Sequence, residues 1–174
     1  MTQILYVEDT PASQRLVQRV LAAEGFDVAL ADNGISALEV ARRKKPDLIL
    51  MDINIGGMDG YEVTTRLRTI PGLEDVPIVA VTAATLDGDR ERALVAGCNG
   101  YIPKPIDVDT FADQVRSYLV GMEDTVESPE ERAEYLLEYN KRLATRLEEK
   151  VRALEEANEE MQHVETMKWE CVIV

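Results

Sequence analysis

Short apolar runs alternate strictly with longer amphipathic stretches from Gln3 to Leu119, and no other feature constrains the fold of this chain as much. The runs fall at Gln3–Val7, Asp27–Ala31, Leu48–Met51, Ile78–Thr82 and Tyr101–Pro103, each bounded by polar or turn residues. Strands buried on both faces of a parallel sheet have this form. Between them, Ser13–Glu24 sets Leu16, Val17, Val20 and Leu21 on one helical face. Ile35–Arg43 does the same with Ile35, Leu38 and Val40 or Ala41, and Val108–Leu119 with Val108, Phe111, Val115 and Leu119. Such alternation predicts an α/β fold, a doubly wound five-stranded parallel sheet with helices on both faces. In that architecture the site lies at the carboxyl ends of the strands, beside the switch point in strand order.

Glu8 and Asp9 stand at the end of the first run, Asp52 at the end of the third, Thr82 at the end of the fourth and Lys104 just after the fifth. A lone strand-end acid commonly solvates a loop tip or caps the next helix. The joint placement of three acids, a hydroxyl and a lysine points instead to a built site. Carboxylates that close repel one another and raise their pKa values unless a cation neutralises them. A hard divalent ion with oxygen ligands does this most simply, and magnesium fits best.

The segments ILYVEDT (4–10), PDLILMDINIGGMDGYE (46–62), PIVAVTA (77–83) and GCNGYIPKPI (97–106) carry a resemblance. In order and spacing, residues 1–121 resemble a response regulator receiver domain, the phosphoacceptor module of two-component signalling. The resemblance implies a flavodoxin-like sheet in the order 2-1-3-4-5. It implies that Asp52 takes a phosphoryl group from a sensor histidine kinase or phosphotransfer protein. Glu8 and Asp9 would hold Mg2+ with Asp52 and the backbone carbonyl of Asn54, while Thr82 and Lys104 contact the phosphoryl oxygens. Tyr101 would be the aromatic partner of Thr82 in a switch that reshapes the face formed by the fourth helix, fifth strand and fifth helix. A cis Lys104–Pro105 bond, aiming the lysine inward, fits the same pattern, since X–Pro is the one linkage with a small cis penalty.

These residue types suit that chemistry. A carboxylate attacking phosphorus must overcome the approach of like charges, so metal and lysine neutralise the oxygens, and positioning does the rest. The new anion can then draw in a hydroxyl and bias a two-state element. Thr10 stands where Asn or Asp is frequent in the family, and Gly56-Gly57 replaces a usual Pro-Gly, predicting a looser loop after Asp52. Ala84 offers no side chain to steer a hydrolytic water. A haloacid-dehalogenase-like phosphatase would need a second acid two residues after the nucleophile, where this chain has Asn54. A flavodoxin-like cofactor binder would need a glycine-rich phosphate loop after the first strand, where this chain has acidic EDTPAS.

Beyond the last glycine, Gly121, the composition changes. Residues 121–174 carry -8 of the formal net charge of -14, and nothing after Pro129 breaks a helix. Ser128 is a natural N-cap, Pro129 fits the first helical position, and Glu130 and Glu131 complement the helix dipole. In a heptad reading, Ala133, Asn140, Leu147, Leu154 and Met161 occupy a positions, and Leu136, Leu143 and Lys150 occupy d positions, with Val151 marking a local shift of the seam. A polar Asn140 at a selects an in-register two-stranded pair. The expected dimerisation residues are therefore Leu136, Asn140, Leu143, Leu147, Val151, Leu154 and Met161. The other reading is a single amphipathic helix folded on its own receiver, although a helix near 40 residues has little local surface to cover it.

The domain expectation is a receiver at 1–121, a linker at 122–127, a dimeric coiled-coil helix at 128–170 and a tail at 171–174. The acid excess argues against nucleic acid or an anionic membrane as partner. No apolar run nears the roughly 20 residues of a membrane span, and MTQILYVEDT lacks the layout of a signal peptide. With only Cys98 and Cys171, no disulfide framework is expected, and the chain reads as cytoplasmic. His163 lacks the context of a kinase phosphoacceptor helix, Cys171-Val-Ile-Val lacks the polybasic stretch that usually accompanies a prenylation box, and Cys98 reads as a packing residue. The expected function is a phosphorylation-controlled response regulator relaying through a coil, and not a turnover enzyme. Two alternatives are the N-terminal receiver-plus-linker piece of a longer effector, such as a cyclic-dinucleotide enzyme or kinase, and a constitutive scaffold.

Overall fold

The five apolar runs form one parallel sheet in the computed structural model, which describes residues 1–56, 58–83 and 89–124, and positions 137, 141, 144–145, 147–149, 151–153, 155 and 158. The strands are β1 (Gln3–Val7), β2 (Asp27–Ala31), β3 (Leu48–Met51), β4 (Ile78–Ala83) and β5 (Gly100–Lys104), in the order β2-β1-β3-β4-β5. Helices α1 (Pro11–Ala23), α2 (Gly34–Arg43), α3 (Gly60–Arg68), α4 (Asp89–Val95) and α5 (Phe111–Leu119) alternate with them. β1 and β3 pair from Ile4↔Leu48 to Val7↔Met51, and β3 and β4 from Ile49↔Ile78 to Met51↔Ala80. Every residue of β3 is buried, as its uninterrupted LILM demands. Each such side chain contributes about 1.5–3 kcal/mol of transfer free energy.

Two apolar layers flank the sheet. Val17 and Leu21 of α1 join Phe111, Ala112, Val115 and Tyr118 of α5 over Tyr6, Leu50, Val79 and Ile102. On the other face Ala37, Leu38 and Ala41 of α2, Val63 and Leu67 of α3 and Ala93 of α4 cover Leu5, Ile49, Met51 and Ala80. Three residues expected in these layers are instead exposed: Leu16 by 44%, Ile35 by 63% and Val108 by 49%. In α2 the buried stripe runs through Gly34, Ala37, Leu38 and Ala41, whose small members a hydropathy reading undervalues, and Ile35 sits one residue round from it. Val108 precedes its helix, because Asp107 O closes a turn with the N–H groups of Thr110 and Phe111 and α5 starts only at Phe111.

Helix starts follow local chemistry. Asn33 caps α2 by accepting from Ser36 N at 2.9 Å, and Asp59 caps α3 by accepting from Tyr61 N at 3.0 Å. α1 begins with Pro11 in its first turn after Thr10, ahead of the Ser13 start expected. Arg68, near the end of α3, donates to the carbonyls of Leu73, Glu74, Val76 and Gly97 and to Asn99 Oδ1, fastening the loops at the amino end of β4 and β5.

The chain divides into two units, Met1–Arg132 and Ala133–Val174. In the second unit the described residues are helical, with Thr145 Oγ1 donating to Lys141 O at 3.1 Å. Leu147 and Val151 are 62% and 51% exposed, whereas Leu136, Asn140, Leu143, Leu154 and Met161 lie outside the described residues, as do Ala84, His163 and Cys171. Among the described residues, no helix is long and apolar enough to cross a membrane.

α3 approaches the end of β3 so closely that only glycine fits at its first position. A Cβ on Gly60 would stand 2.5 Å from Asp52 O and 2.6 Å from Ile53 Cα, both backbone atoms that cannot swing aside. Gly60→Ala is expected to lower stability by about 1–3 kcal/mol, read as a lower midpoint in urea denaturation with an unchanged slope.

Candidate functional site

Strand register alone brings the principal groups together. Because Val7 pairs with Met51, the next residues on β1 and β3, Glu8 and Asp52, leave the sheet side by side. Both are buried, at 1% and 5% exposure. Lys104 closes β5, within the strand rather than just after it, and reaches across β4 to both carboxylates. Its Nζ lies 2.5 Å from Glu8 Oε2 and 2.7 Å from Asp52 Oδ2. The Lys104–Pro105 bond is cis.

The remaining oxygens are also held. Glu8 Oε2 accepts from the Tyr6 hydroxyl at 2.8 Å and Oε1 from Thr10 N at 3.1 Å, while Asp52 Oδ1 accepts from Asn54 N at 2.9 Å. Asn54 Nδ2 donates to Thr82 Oγ1 at 3.0 Å. Thr82, at the buried end of β4, thus joins the site through Asn54. Asp9 is exposed and turned toward the loop after β3, where its Oδ2 accepts from Gly56 N at 3.0 Å. Tyr101 is half-buried on β5 against the apolar layer of α2 to α4. Among the described residues, no buried side-chain polar atom lacks a partner.

Charge pairing decides the protonation states. Burial works against ionised Glu8, but hydrogen bonds from Lys104 and Tyr6, the Lys104 charge and the Thr10 N–H outweigh it and hold the carboxyl below the usual glutamate range. Burial likewise works against charged Lys104, and the bonds to Asp52 and Glu8 reverse the sign, raising its pKa. The Tyr6 phenol is pushed far up, first by burial and then by its bond to Glu8. Tyr6 is a site residue that sequence reasoning passed over. Its signal was available, a phenol two residues before an acid on a buried strand, where alternation puts both side chains on one face.

Among the described residues, no three acidic, histidine or cysteine side chains converge on one point as a finished metal cage. Glu8 and Asp52 are drawn to Lys104, and Asp9 to the loop. The donor set nevertheless fits a hard divalent cation. Glu8, Asp9 and Asp52 offer only oxygen, and their three negative charges face the single ammonium of Lys104, which leaves two for such an ion to balance.

Removing the ammonium exposes the like-charge problem that it answers. Lys104→Met is expected to lower stability by about 1–3 kcal/mol, because two buried carboxylates lose their shared donor. Urea denaturation without divalent ions measures it, and Lys104→Met/Glu8→Gln should recover part of the loss.

The chain matches the family model described as the response regulator receiver domain over residues 4–116. It is 40% identical over 116 residues to the polar-differentiation response regulator DivK of Brucella anthropi, a match covering 67% of this chain and 94% of that protein. Among solved structures, it resembles the receiver domain of the sensor histidine kinase PA1611 from Pseudomonas aeruginosa PAO1, which has a magnesium ion coordinated in its active-site cleft. The identity is 37%, the TM-score 0.64, and the match covers 69% of this chain and 98% of that one. The chemotaxis protein CheY4 of Vibrio cholerae gives 26% identity and a TM-score of 0.65, over 67% of this chain and 98% of that one. With this sheet order, this strand-end constellation and these matches, the chain belongs to the response regulator receiver family.

Proposed function

We propose that this protein accepts a phosphoryl group on Asp52 from a sensor histidine kinase or phosphotransfer protein, and that the resulting acyl phosphate sets the state of the α4-β5-α5 face. The observation that carries the reading is the setting of Asp52 itself. Its carboxylate is buried at the end of β3, with Oδ2 2.7 Å from Lys104 Nζ and Oδ1 held by Asn54 N–H. An Asp52 oxygen forms the new bond to phosphorus as the bond to the donor's imidazole nitrogen breaks, and the donor nitrogen keeps that electron pair. Lys104, already charged, pairs with a phosphoryl oxygen. Thr82 donates its hydroxyl hydrogen to another oxygen, and Tyr101 repacks as the threonine moves.

Glu8, Asp9, Asp52 and the Asn54 carbonyl would hold Mg2+, which supplies charge neutralisation on the transferring group. No general acid stands two residues after Asp52, so the site acts as an acceptor with self-catalysed loss of phosphate rather than as a turnover enzyme. The proposed setting is the cytoplasm. For residues 128–170 we propose a parallel dimeric coiled coil that relays the signal, supported by the exposed apolar pair Leu147 and Val151 one helical turn apart.

Incubation with a small phosphodonor and Mg2+ is expected to add one phosphoryl group, seen as a single step in intact mass, with none on Asp52→Asn. Equal labelling of the Asn variant would overturn the assignment. Leu147→Pro is expected to convert dimer to monomer in light scattering, since proline inside a helix costs about 3 kcal/mol. A dimer that survives would move the interface to the receiver.

A further inference from the structure

β5 is an edge strand, and its outer rim presents backbone groups that no sheet neighbour can pair. Glu123 and Asp124 meet the start of that rim. α5 ends at Leu119, and Gly121, with φ at 95°, turns the chain back so that Met122 N bonds to Ser117 O at 3.0 Å. The chain then lies against the start of β5. Asp124 N donates to Asn99 O at 2.8 Å, and Asn99 Nδ2 donates to Glu123 Oε1 at 2.9 Å.

The Asp124 carboxylate gathers three elements at once. Oδ2 accepts from Tyr101 N on β5 at 3.0 Å and from the Tyr118 hydroxyl of α5 at 3.1 Å, while Oδ1 lies 3.8 Å from Arg90 Nη2 of α4. Burial and the Asp124 charge together push the Tyr118 phenol up to about 12, so it remains a donor at any ordinary pH. A hydrogen bond fades steeply beyond its ideal length, so one short side chain can bond both β5 and α5 only in a narrow arrangement of the two, while its charge draws Arg90 of α4 toward them.

We infer that Asp124 is a positioning residue of the switch, a clamp that holds α4, Tyr101 and α5 in the unphosphorylated arrangement and lets go when phosphorylation of Asp52 shifts them. The inference rests on the phosphoacceptor reading above, because it is that event which moves the α4-β5-α5 face. Release frees the chain immediately after α5 from the rim of β5. By linkage, a clamp that phosphorylation opens must itself oppose phosphorylation, so its removal favours the activated state.

The test uses the full chain, beryllofluoride with Mg2+ as the phosphoryl mimic, and amide hydrogen exchange. In the wild type, the mimic is expected to speed exchange at the Tyr101 amide and across residues 122–124. Asp124→Ala should show that faster exchange without the mimic, and should bind beryllofluoride about fivefold more tightly. Asp124→Asn retains an oxygen for Tyr101 N–H and should restore its protection. If the wild type binds beryllofluoride while protection at Tyr101 and 122–124 is unchanged, or if Asp124→Ala binds it no better, the clamp is refuted and the phosphoacceptor reading stands. If the wild type neither binds beryllofluoride nor accepts a phosphoryl group, both fall.

Discussion

The pairing of β1 with β3 is the constraint on which the rest of the structure depends. Both strands are buried on both faces, and their register from Ile4↔Leu48 to Val7↔Met51 is fixed by apolar side chains that must all point inward. A slip of one residue would turn each side chain to the opposite layer. The same register delivers Glu8 and Asp52 to one place, where two carboxylates would not gather of their own accord. The sheet therefore creates a repulsion and answers it from its far edge, with a lysine whose long stem crosses β4. Lys104 comes from an edge strand, β5, which is paired on one side only, whereas β1 and β3 are paired on both.

Much of this was legible in the sequence. The strands Gln3–Val7, Asp27–Ala31 and Leu48–Met51 each end where an acid, Glu8, Asp32 or Asp52, follows the apolar run. Doubly wound topology then dictates that groups following those runs share one crevice, which is why Glu8, Asp52 and Lys104 stand out in the sequence. The helices were less legible. Their buried faces are built from alanine and glycine as much as from leucine, and hydropathy gave Ile35 and Leu16 a weight that geometry does not. The partnership of Tyr6 was legible only through strand alternation, which puts its hydroxyl on the face of Glu8 two residues on. That of Asp124 was not legible at all. Asp124 reads as one more acid near an acidic tail, because its partners Asn99, Tyr101 and Arg90 are distant in sequence and meet it only after α5 and β5 have packed.

A second set of bonds ties together the amino ends of β4 and β5. Arg68 spends its guanidinium on backbone carbonyls from the loop before β4 and from the turn before β5, and on Asn99, whose side-chain oxygen also receives Ile78 N. A planar fork with several donors suits this task in a way that a lysine would not. The amino ends of β4 and β5 are thereby pinned together.

The bond from Asn54 to Thr82 has a consequence for the direction in which a proton can be offered. The amide donates and the threonine oxygen accepts, which leaves the hydroxyl's own hydrogen uncommitted by that bond. Thr82 can therefore turn that hydrogen toward an anion on Asp52 by rotating about its Cβ–Oγ1 bond while its oxygen still accepts from Asn54. The threonine is held through a lone pair, and the bond that holds it does not set where its hydrogen points.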